Sequence, residues 1–299
     1  MSQQIQSIST SHVCCVVVCY RPDFQRLRTL CATLRVGGAR VVIIDNSEQP
    51  TLDMSLLPTG CELVSLGVNT GIARAQNVGL AAAGTSEAIA FFDQDSQPSV
   101  GLLGTLVSRI RLGQADIVAP VCLDEETGSE LPSTRLDRLG RSVAVYCVDE
   151  QQPVEVDIVI SSGTVATREV FAMVGGLDEK FFIDFVDTEW CLRCRAARIP
   201  IRVVPQAIMR HRIGDSSVKF AGCSISIHSP IRCYYQLRNC IFMLRRKYVP
   251  ILFSAKQLIA NLGNRILLLL FVKDRLSYID AYCCALSDGI RGQTGRKQI

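Results

Sequence analysis

The sequence has few of the residues on which several classes of protein depend. Three histidines occur in 299 residues, and the motif CxxC occurs once, at Cys191 and Cys194. Zinc sites usually combine more such ligands, so we do not expect zinc. No apolar run reaches the roughly 18 residues that a membrane-spanning helix needs. The first twelve residues have neither a basic charge nor an apolar core, so we expect no secretory signal.

The 14 cysteines form no recognisable disulfide pattern. They lie in apolar runs such as VCCVVVC, which is typical of small buried thiols in a reducing cytoplasm. Hydrophobic residues make up 48% of the chain and charged residues 20%, a composition that indicates a folded globular protein. We therefore expect a cytoplasmic protein without disulfide bonds.

The net charge of +4 is unevenly distributed along the chain. Residues 216–299 contain 13 basic and 3 acidic residues, and residues 1–215 contain the other 19 basic and 25 acidic ones. The two parts differ in the sign of their net charge, which predicts a boundary near residue 215. Residues 121–156 are polar and irregular, and we expect them to form an excursion at a sheet edge.

Apolar runs of strand length alternate with helical patterns between residues 13 and 205. Such alternation predicts an α/β fold with a Rossmann-like, mostly parallel central sheet and helices on both faces. Continuous apolar strands also indicate that both faces of the sheet are covered. The predicted strands are HVCCVVVCY, VVII, CELVSL, AIAFF, DIVAPV, VDIVISSG and IRVVP, and the predicted helices include GIARAQNVGLAAAG, PSVGLLGTLVSRI, REVFAMVGG and DTEWCLRCRAAR.

Two carboxylates, Asp93 and Asp95, follow a buried strand in FFDQDS. Ligands of open α/β sheets bind at the carboxyl ends of the strands, where such acids would lie. An Asp-X-Asp pair suits Mg²⁺ or Mn²⁺, which prefer oxygen ligands and bind diphosphates. Alternatively, Asp95 or Ser96 caps a helix that begins near Pro98.

Asp45 also follows a strand, in VVIIDNS. Its carboxylate could accept a hydrogen bond from the N–H of a pyrimidine base, or it could form only an Asx turn. The segment NTGIARAQNVG, residues 69–79, opens a helix with Gly71 and lacks both the GxGxxG and the P-loop spacing. Its small residues could serve a nucleotide or could simply let the helix lie close on the sheet.

The segment FFIDFVDTEWCLR, residues 181–193, concentrates acids among aromatic residues. Asp187 lies at or just before a predicted helix start, where it could act as a general base or as an N-cap. Trp190, the only tryptophan, could stack on a sugar or belong to the core. His211 follows the last strand of this region and could be a further ligand near a diphosphate and a metal.

Seven motifs occur in an order that closely resembles the family 2 glycosyltransferases with the GT-A fold. The forms FFDQDS and FIDFVDTEW are most similar to the bacterial rhamnosyltransferase branch, which uses dTDP-L-rhamnose. The resemblance covers about residues 13–215 and extends weakly into YYQLRNC, residues 234–240. The motifs are VVVCYRP, VVIIDNS, NTGIARAQNVG, FFDQDS, SSGTVATREVFAMVGGLDEKFF, DFVDTEWCLR and RHRIGD.

The resemblance implies a GT-A catalytic domain over residues 1–215. Its nucleotide-sugar half would span about 13–120 and its acceptor half about 121–215, with a basic, mainly helical region over 216–299. The implied activity is an inverting, metal-dependent transfer of L-rhamnose from dTDP-L-rhamnose to a growing cell-surface polysaccharide of the O-antigen type. The implied cofactor is Mg²⁺ or Mn²⁺.

The resemblance also assigns roles to individual residues. The family usually has Glu-Asp where this chain has Val186-Asp187, so the base role falls on Asp187, with Asp184 and Glu189 as competitors. Asp95 and His211 would bind the metal. The nucleotide would contact Tyr20, Arg21, Asp45, Asn69, Gly71, Asn77 and Asp93. The donor sugar or the acceptor would contact Ser162, Gly163, Thr164, Glu189 and Trp190.

The basic region after residue 215 contains leucines and isoleucines at helical spacing, interrupted by Lys256 and Arg265. Such a helix could lie in the interface of an anionic membrane, or it could pack on the catalytic domain with a solvated basic face. A lipid-linked saccharide acceptor favours the membrane. We do not expect nucleic acid as a partner, because the catalytic part is acidic and no base-reading module is visible.

Three other functions fit parts of this set of motifs. A glycosyltransferase that uses another nucleotide hexose would share all the motifs. A sugar-nucleotide pyrophosphorylase would need a glycine-rich basic loop after the first strand, where this chain has CYRPDF. A non-catalytic nucleotide-sugar-binding subunit would not need Asp93, Asp95 and Asp187.

Overall fold

Strands and helices alternate through the first 124 residues of the computed structural model, which describes residues 9–49, 52–111, 114–211, 217–220, 223–226, 228–272 and 274–297. Short 3₁₀ turns occur at Thr10–His12 and Met54–Leu56. The elements of this part are β1 (Val13–Cys19), α1 (Phe24–Val36), β2 (Arg40–Asp45), β3 (Cys61–Ser65), α2 (Ile72–Ala82), β4 (Ala88–Asp93), β5 (Gln97–Pro98), α3 (Leu102–Val107) and β6 (Ile117–Asp124).

The middle of the chain contains several short strands before two helices and one long strand. The excursion predicted for residues 121–156 is largely a set of small hairpins beside the main sheet. These elements are β7 (Glu130–Leu131), β8 (Ser133–Leu136), β9 (Ser142–Val145), β10 (Val154–Val156), β11 (Val165–Thr167), α4 (Arg168–Val174), α5 (Val186–Ala196) and β12 (Ile201–His211).

The last part of the chain is mainly helical, as predicted. A small hairpin precedes three helices, and α6 packs against both of the others. The elements are β13 (Ser217–Phe220), β14 (Cys223–Ser226), α6 (Pro230–Leu244), α7 (Ile251–Leu268) and α8 (Arg275–Arg291). The predicted boundary near residue 215 and most of the motif RHRIGD lie outside the described residues.

A ten-stranded sheet forms the centre of the molecule, with the order β10-β12-β6-β11-β4-β1-β2-β3. Strands β4, β1, β2 and β3 run parallel, and so do β6 and β12, whereas β11 is antiparallel to both of its neighbours. Strands β5 and β7 extend the sheet from β12 and β6. The predicted α/β architecture is confirmed, and β11 joins its two parallel parts.

Both faces of the sheet are covered, as the continuous apolar strands predicted. All seven residues of β1 are buried, and they alternate between two apolar clusters. Helices α1 and α3 cover one face, and α2, α4 and α5 cover the other, where the end of α6 contributes Phe242 and Met243. The 13 cysteines whose side chains the structure describes are free, and most are buried.

Helix α2 lies so close to the sheet that a side chain would not fit at one position. A methyl group added at Gly79 would overlap the side chain of Val16 in β1. The small residues of this helix therefore have the packing role that the sequence left open. At its start, Gly71 adopts a φ of +86°, and a methyl group there would overlap Phe182.

Two predicted elements differ from the structure. The helix predicted to begin near Pro98 begins at Leu102 instead, because residues 97 and 98 pair with β12 as an extended strand. The strand predicted over residues 156–163 is interrupted: β10 ends at Val156 and β11 begins at Val165, with isolated bridges between them. The N-cap of α3 is Gly101, so neither Asp95 nor Ser96 caps it.

None of the helices in the described part of the chain combines the length and the apolar character that crossing a bilayer requires.

Candidate functional site

The carboxyl ends of three parallel strands bring the first acidic residues together. Strand β1 lies between β2 and β4, and its last residues, Val18 and Cys19, pair with Asp93 and Asp45. Both aspartates therefore lie at the same edge of the sheet, which is where open α/β sheets bind ligands.

A carboxylate–histidine cluster forms at this edge from Asp93, Asp95 and His211. One oxygen or nitrogen atom from each of the three side chains lies within 4.8 Å of the others. Strand β5 fixes this arrangement, because its pairing with the end of β12 holds the turn after β4 beside His211. The distance between His211 Nδ1 and Asp95 Oδ1 is 3.9 Å.

The cluster fits a divalent cation. His211 Nδ1 is buried and has no hydrogen-bond partner among the described residues. Two carboxylates and one imidazole form a ligand set that suits Mn²⁺ or Mg²⁺. Burial raises the pKa of Asp93 to about 6, with repulsion from Asp95 and Asp187 adding to the rise and His211 opposing it. A bound cation would relieve this concentration of negative charge.

A cavity of about 290 Å³, which we call the Asn69 pocket, opens beside the cluster. Four of the residues predicted to bind a nucleotide line it: Tyr20, Asn69, Gly71 and Asp93. The remaining lining residues are Val18, Cys19, Asn46, Ile72, Gln94, Phe182 and Ile183.

Hydrogen bonds between loops shape the Asn69 pocket. Asn46 donates to the side chain of Asn69 over 3.2 Å and accepts a hydrogen bond from the backbone of Thr70 over 2.8 Å. On the other side, the Tyr20 backbone donates to the side chain of Gln94 over 2.7 Å. The loops after β1, β2, β3 and β4 are thus joined around one cavity.

The other three predicted nucleotide contacts do not line the Asn69 pocket. Asp45 is fully buried and does not line the Asn69 pocket; its Oδ1 accepts from the Ser47 backbone, and its Oδ2 has no partner among the described residues. The Arg21 side chain is 70% exposed, with its guanidinium 3.3 Å from Glu48. The side chain of Asn77 binds the backbone of Leu177 twice, at 2.8 and 2.9 Å, and so fastens α2 to the loop after α4.

Asp187 lines a second cavity of about 140 Å³, which we call the Asp187 cavity. Ser162 lines it too and accepts a hydrogen bond from the Asp93 backbone over 3.2 Å, so this cavity adjoins the carboxylate–histidine cluster. Burial raises the pKa of Asp187, although the backbone N–H groups of Thr188 and Ser161 oppose the rise. Asp187 lies in the first turn of α5, and the N-cap is Phe185.

The structure separates the five residues predicted to contact the donor sugar or the acceptor. Ser162 lies at the site and hydrogen bonds with Ser96, whereas Gly163 and Thr164 pair with the backbone of β4 beneath it. Trp190 is only 4% exposed, stacks on Phe171 and donates to the Gly175 carbonyl. Glu189 is fully buried between Arg193 and Tyr248. Glu189 and Trp190 thus line neither of the two cavities.

Helix α6 supports the pocket wall, a role that the sequence analysis missed. The Tyr235 ring stacks on Phe182 with 4.9 Å between ring centroids. The Asn239 amide donates to the carbonyls of Ile183 and Asp184 over 2.7 and 3.0 Å. The motif YYQLRNC contains both α6 residues, so its weak resemblance to the family was the available signal.

Comparison with known sequences gives matches over most of the chain. The family model described as glycosyl transferase family 2 matches residues 15–170. The dTDP-rhamnosyl transferase RfbF of Shigella flexneri is 37% identical over 288 residues, which cover 95% of this chain and 97% of that protein. The pre-mycofactocin glycosyltransferase of Mycobacterium tuberculosis (strain CDC 1551 / Oshkosh) is 30% identical over 203 residues, or 66% of this chain and 42% of that one.

Solved structures share the fold at low sequence identity. GalNAc-T7, crystallised with UDP, GalNAc and Mn²⁺, aligns with a TM-score of 0.58 and 15% identity, over 83% of this chain and 54% of that one. Residues 1–349 of TarS from S. aureus align with a TM-score of 0.54 and 15% identity, over 93% of this chain and 80% of that one.

Proposed function

Since the chain belongs to glycosyl transferase family 2, we propose that it is an inverting glycosyltransferase that transfers L-rhamnose from dTDP-L-rhamnose to a growing cell-surface polysaccharide of the O-antigen type. The observation that carries this proposal is the placement of the carboxylate–histidine cluster between the Asn69 pocket and the Asp187 cavity. The first cavity offers room for a nucleotide, and the second is lined by Asp187, whose carboxylate would receive the proton of an acceptor hydroxyl.

The choice of donor rests on the relative that is similar over nearly its whole length. That protein is a dTDP-rhamnosyl transferase, and the match covers 97% of it. In this chain the Asn69 pocket would hold the nucleoside end of the donor.

Asp93, Asp95 and His211 would hold Mg²⁺ or Mn²⁺, which when bound supplies positive charge that stabilises the departing diphosphate. Asp93 lines the Asn69 pocket as well, so the same side chain lies where the diphosphate of the donor would enter the cluster.

Asp187 would act as the general base. Its half-buried side chain lines the cavity in which the acceptor hydroxyl would bind, and its raised pKa makes it a stronger base than an ordinary aspartate. The acceptor oxygen gives its proton to Asp187 and forms the new bond to the anomeric carbon as the bond to the diphosphate breaks. Attack opposite the leaving group inverts the anomeric centre, and no covalent enzyme intermediate is needed.

The exposed surface of the last two helices favours a membrane-bound acceptor. Apolar side chains recur along the outer side of α7, where Ile259 and Ile266 are 70% and 67% exposed, and along α8, where Leu276 and Ile290 are 80% and 68% exposed. Basic residues such as Lys256 and Arg275 accompany them. We place these helices in the interface of an anionic membrane, on the inner face of the cell membrane, with a lipid-linked saccharide as acceptor.

Donor turnover tests the proposed function. The protein is incubated with dTDP-L-rhamnose and Mg²⁺, with and without a lipid-linked saccharide acceptor, and nucleoside diphosphate release is measured. Release that requires the acceptor is expected. Formation of nucleoside triphosphate from donor and pyrophosphate would instead indicate a pyrophosphorylase, and binding without release would indicate a non-catalytic subunit. UDP-hexoses tested in parallel decide whether another donor is preferred.

A further inference from the structure

Residues 292–297, which follow α8, lie against the wall of the Asn69 pocket. The Gly295 backbone donates to the Lys180 carbonyl over 3.2 Å, and the Lys297 backbone donates to the Tyr235 hydroxyl over 2.8 Å. Tyr235 stacks on Phe182, which lines the pocket. The Tyr235 ring therefore lies between this segment and Phe182, which lines the cavity.

A buried cation fixes the position of this segment. Arg238 of α6 is only 1% exposed, and its guanidinium donates to the Gly295 carbonyl over 2.7 Å and to the Lys180 carbonyl over 3.3 Å. Gly295 has a φ of +73°, which a side chain would strain. Arg238 thus fixes the backbone of Gly295, and this fixed backbone positions the side chain of the next residue, Arg296.

The next side chain, Arg296, reaches the rim of the pocket. Its guanidinium lies 3.4 Å from the carbonyl oxygen of Asn69 and 3.5 Å from Glu48 Oε1, and the side chain is 50% exposed. Glu48 also accepts from the Tyr20 hydroxyl over 3.3 Å. Arg296 therefore stands beside two residues that line the pocket, Tyr20 and Asn69, although 227 positions separate it from Asn69 in the sequence.

We infer that Arg296 binds the nucleoside end of the donor and is a specificity-determining residue of the Asn69 pocket. The inference rests on the proposed function, because it needs a nucleotide in this pocket. The guanidinium has N–H donors and no acceptor, and thymine and uracil each present carbonyl oxygens on either side of the ring N–H. Arg296 would donate to such a carbonyl.

The position of Arg296 argues for the base and against the diphosphate. Arg296 contacts the loops after β2 and β3, on the side of β1 away from β4. The carboxylate–histidine cluster lies on the side of β4 and β12. A nucleotide whose diphosphate lies at the cluster would extend its base toward Arg296.

Calorimetric titration of the full-length protein with dTDP and with dTMP, each in the presence of Mn²⁺, tests this assignment. Arg296→Ala should weaken both ligands by about the same factor, roughly tenfold for a lost hydrogen bond to a charged donor, and Arg296→Lys should restore part of the loss. Arg28→Ala, which removes an exposed cation on α1, is the matched control and should bind both ligands as the wild type does. Steady-state kinetics should locate the defect in the KM for the donor, with kcat unchanged.

The possible outcomes separate the role of Arg296 from the proposed function of the protein. If the wild type binds dTDP and Arg296→Ala binds it equally well, the role of Arg296 is wrong and the proposed function stands. A loss for dTDP but not for dTMP would place the guanidinium at the terminal phosphate and overturn the base assignment. If the wild type binds neither dTDP nor dTMP, the proposed function fails and Arg296 fails with it. Equal melting temperatures of the variants exclude unfolding as the cause of a loss.

Discussion

His211 Nδ1 and Asp95 Oδ1 lie 3.9 Å apart, although 116 residues separate them in the chain. The two-residue strand β5 makes this approach possible, since it pairs Gln97 with Arg210 directly beside both side chains. Neither residue alone indicates a metal site. Together with Asp93 they form a ligand set that fits a divalent cation.

Removal of His211 should weaken cation binding. We expect His211→Ala to lower Mn²⁺ affinity at least about tenfold. Even the loss of a residue that only hydrogen bonds to a metal ligand commonly lowers metal affinity by about that factor. Titration of Mn²⁺ followed by electron paramagnetic resonance measures the affinity. His12→Ala is the matched control, since His12 lies at the start of the chain and contacts Glu87. Equal Mn²⁺ affinity of both variants would exclude His211 as a ligand.

Replacement of Asp187 should abolish turnover and spare donor binding. Asp187→Asn keeps the shape of the side chain and removes the base, so kcat should fall about 10²–10⁴-fold. Binding of dTDP, measured by calorimetry, should remain at the wild-type level. Asp184→Asn is the comparison, because Asp184 is the competing acid and is paired with Arg232. Near wild-type turnover of Asp187→Asn would move the base role to another residue.

The rate should depend on pH through Asp187. A general base works only when it is ionised, so activity is present above its pKa and is lost as the pH falls through that value. Because burial raises this pKa, the acid limb of kcat/KM should lie above the pH of about 3.9 that an ordinary aspartate would give. A rate profile from pH 4 to 8 at saturating Mn²⁺ locates the limb, and a flat profile over this range would contradict the assignment.

The apolar surface of α7 should govern binding to anionic vesicles. Two substitutions on it, Ile259→Gln and Ile266→Gln, remove exposed methyl groups, so folding should be unaffected and vesicle partitioning should fall at least about tenfold. Co-sedimentation with vesicles that contain phosphatidylglycerol measures partitioning, and Val36→Gln on α1, at a residue that is 79% exposed, is the control.

A salt series completes the vesicle experiment. High salt should reduce the binding, because lipid charge contributes to it. Wild-type protein that stays in the supernatant at low salt would contradict the membrane assignment. If the wild type is a dimer in solution and the variant with both substitutions is a monomer, the same surface would instead bind a second copy of the chain.

The contact between α2 and β1 should tolerate no added methyl group. Gly79→Ala removes a helix-weakening glycine but forces an overlap with Val16. We expect a net loss of about 1–3 kcal/mol in the free energy of unfolding, the usual cost of overpacking. Urea denaturation measures it. Gly104→Ala in α3 is the control, because a methyl group there would meet no atom within 4 Å and should be neutral or stabilising.

The regular part of the fold was predictable because burial and periodicity agree there. The run VCCVVVC is a strand buried on both faces, and the predicted helix between Gly71 and Gly84 is α2 with slightly shorter ends. Prediction was wrong at Pro98, since proline suits both the first turn of a helix and an edge strand. Only the approach of β12, more than 100 residues later, decides for the strand.

The candidate site was predictable where metal-binding side chains follow directly after a strand. Asp93 and Asp95 end one strand and His211 ends another, and the structure brings all three together. The placement of the boundary near residue 215 and of the individual contacts with donor and acceptor stays a prediction. Arg296 was beyond sequence reasoning, because nothing in the local pattern around it indicates that it lies beside Asn69, 227 positions away. For Asn239, the weak resemblance of YYQLRNC to the family was the available signal.

Helix α6 has a consequence for any attempt to shorten the protein. Because Asn239 holds the carbonyls of Ile183 and Asp184, and Tyr235 covers Phe182, a chain cut before α6 would lose the support of one wall of the Asn69 pocket. The same helix carries α7 and α8 on its other sides. The proposed attachment to a lipid surface and the proposed recognition of the donor would therefore both depend on α6, and the last three helices would not be a detachable anchor.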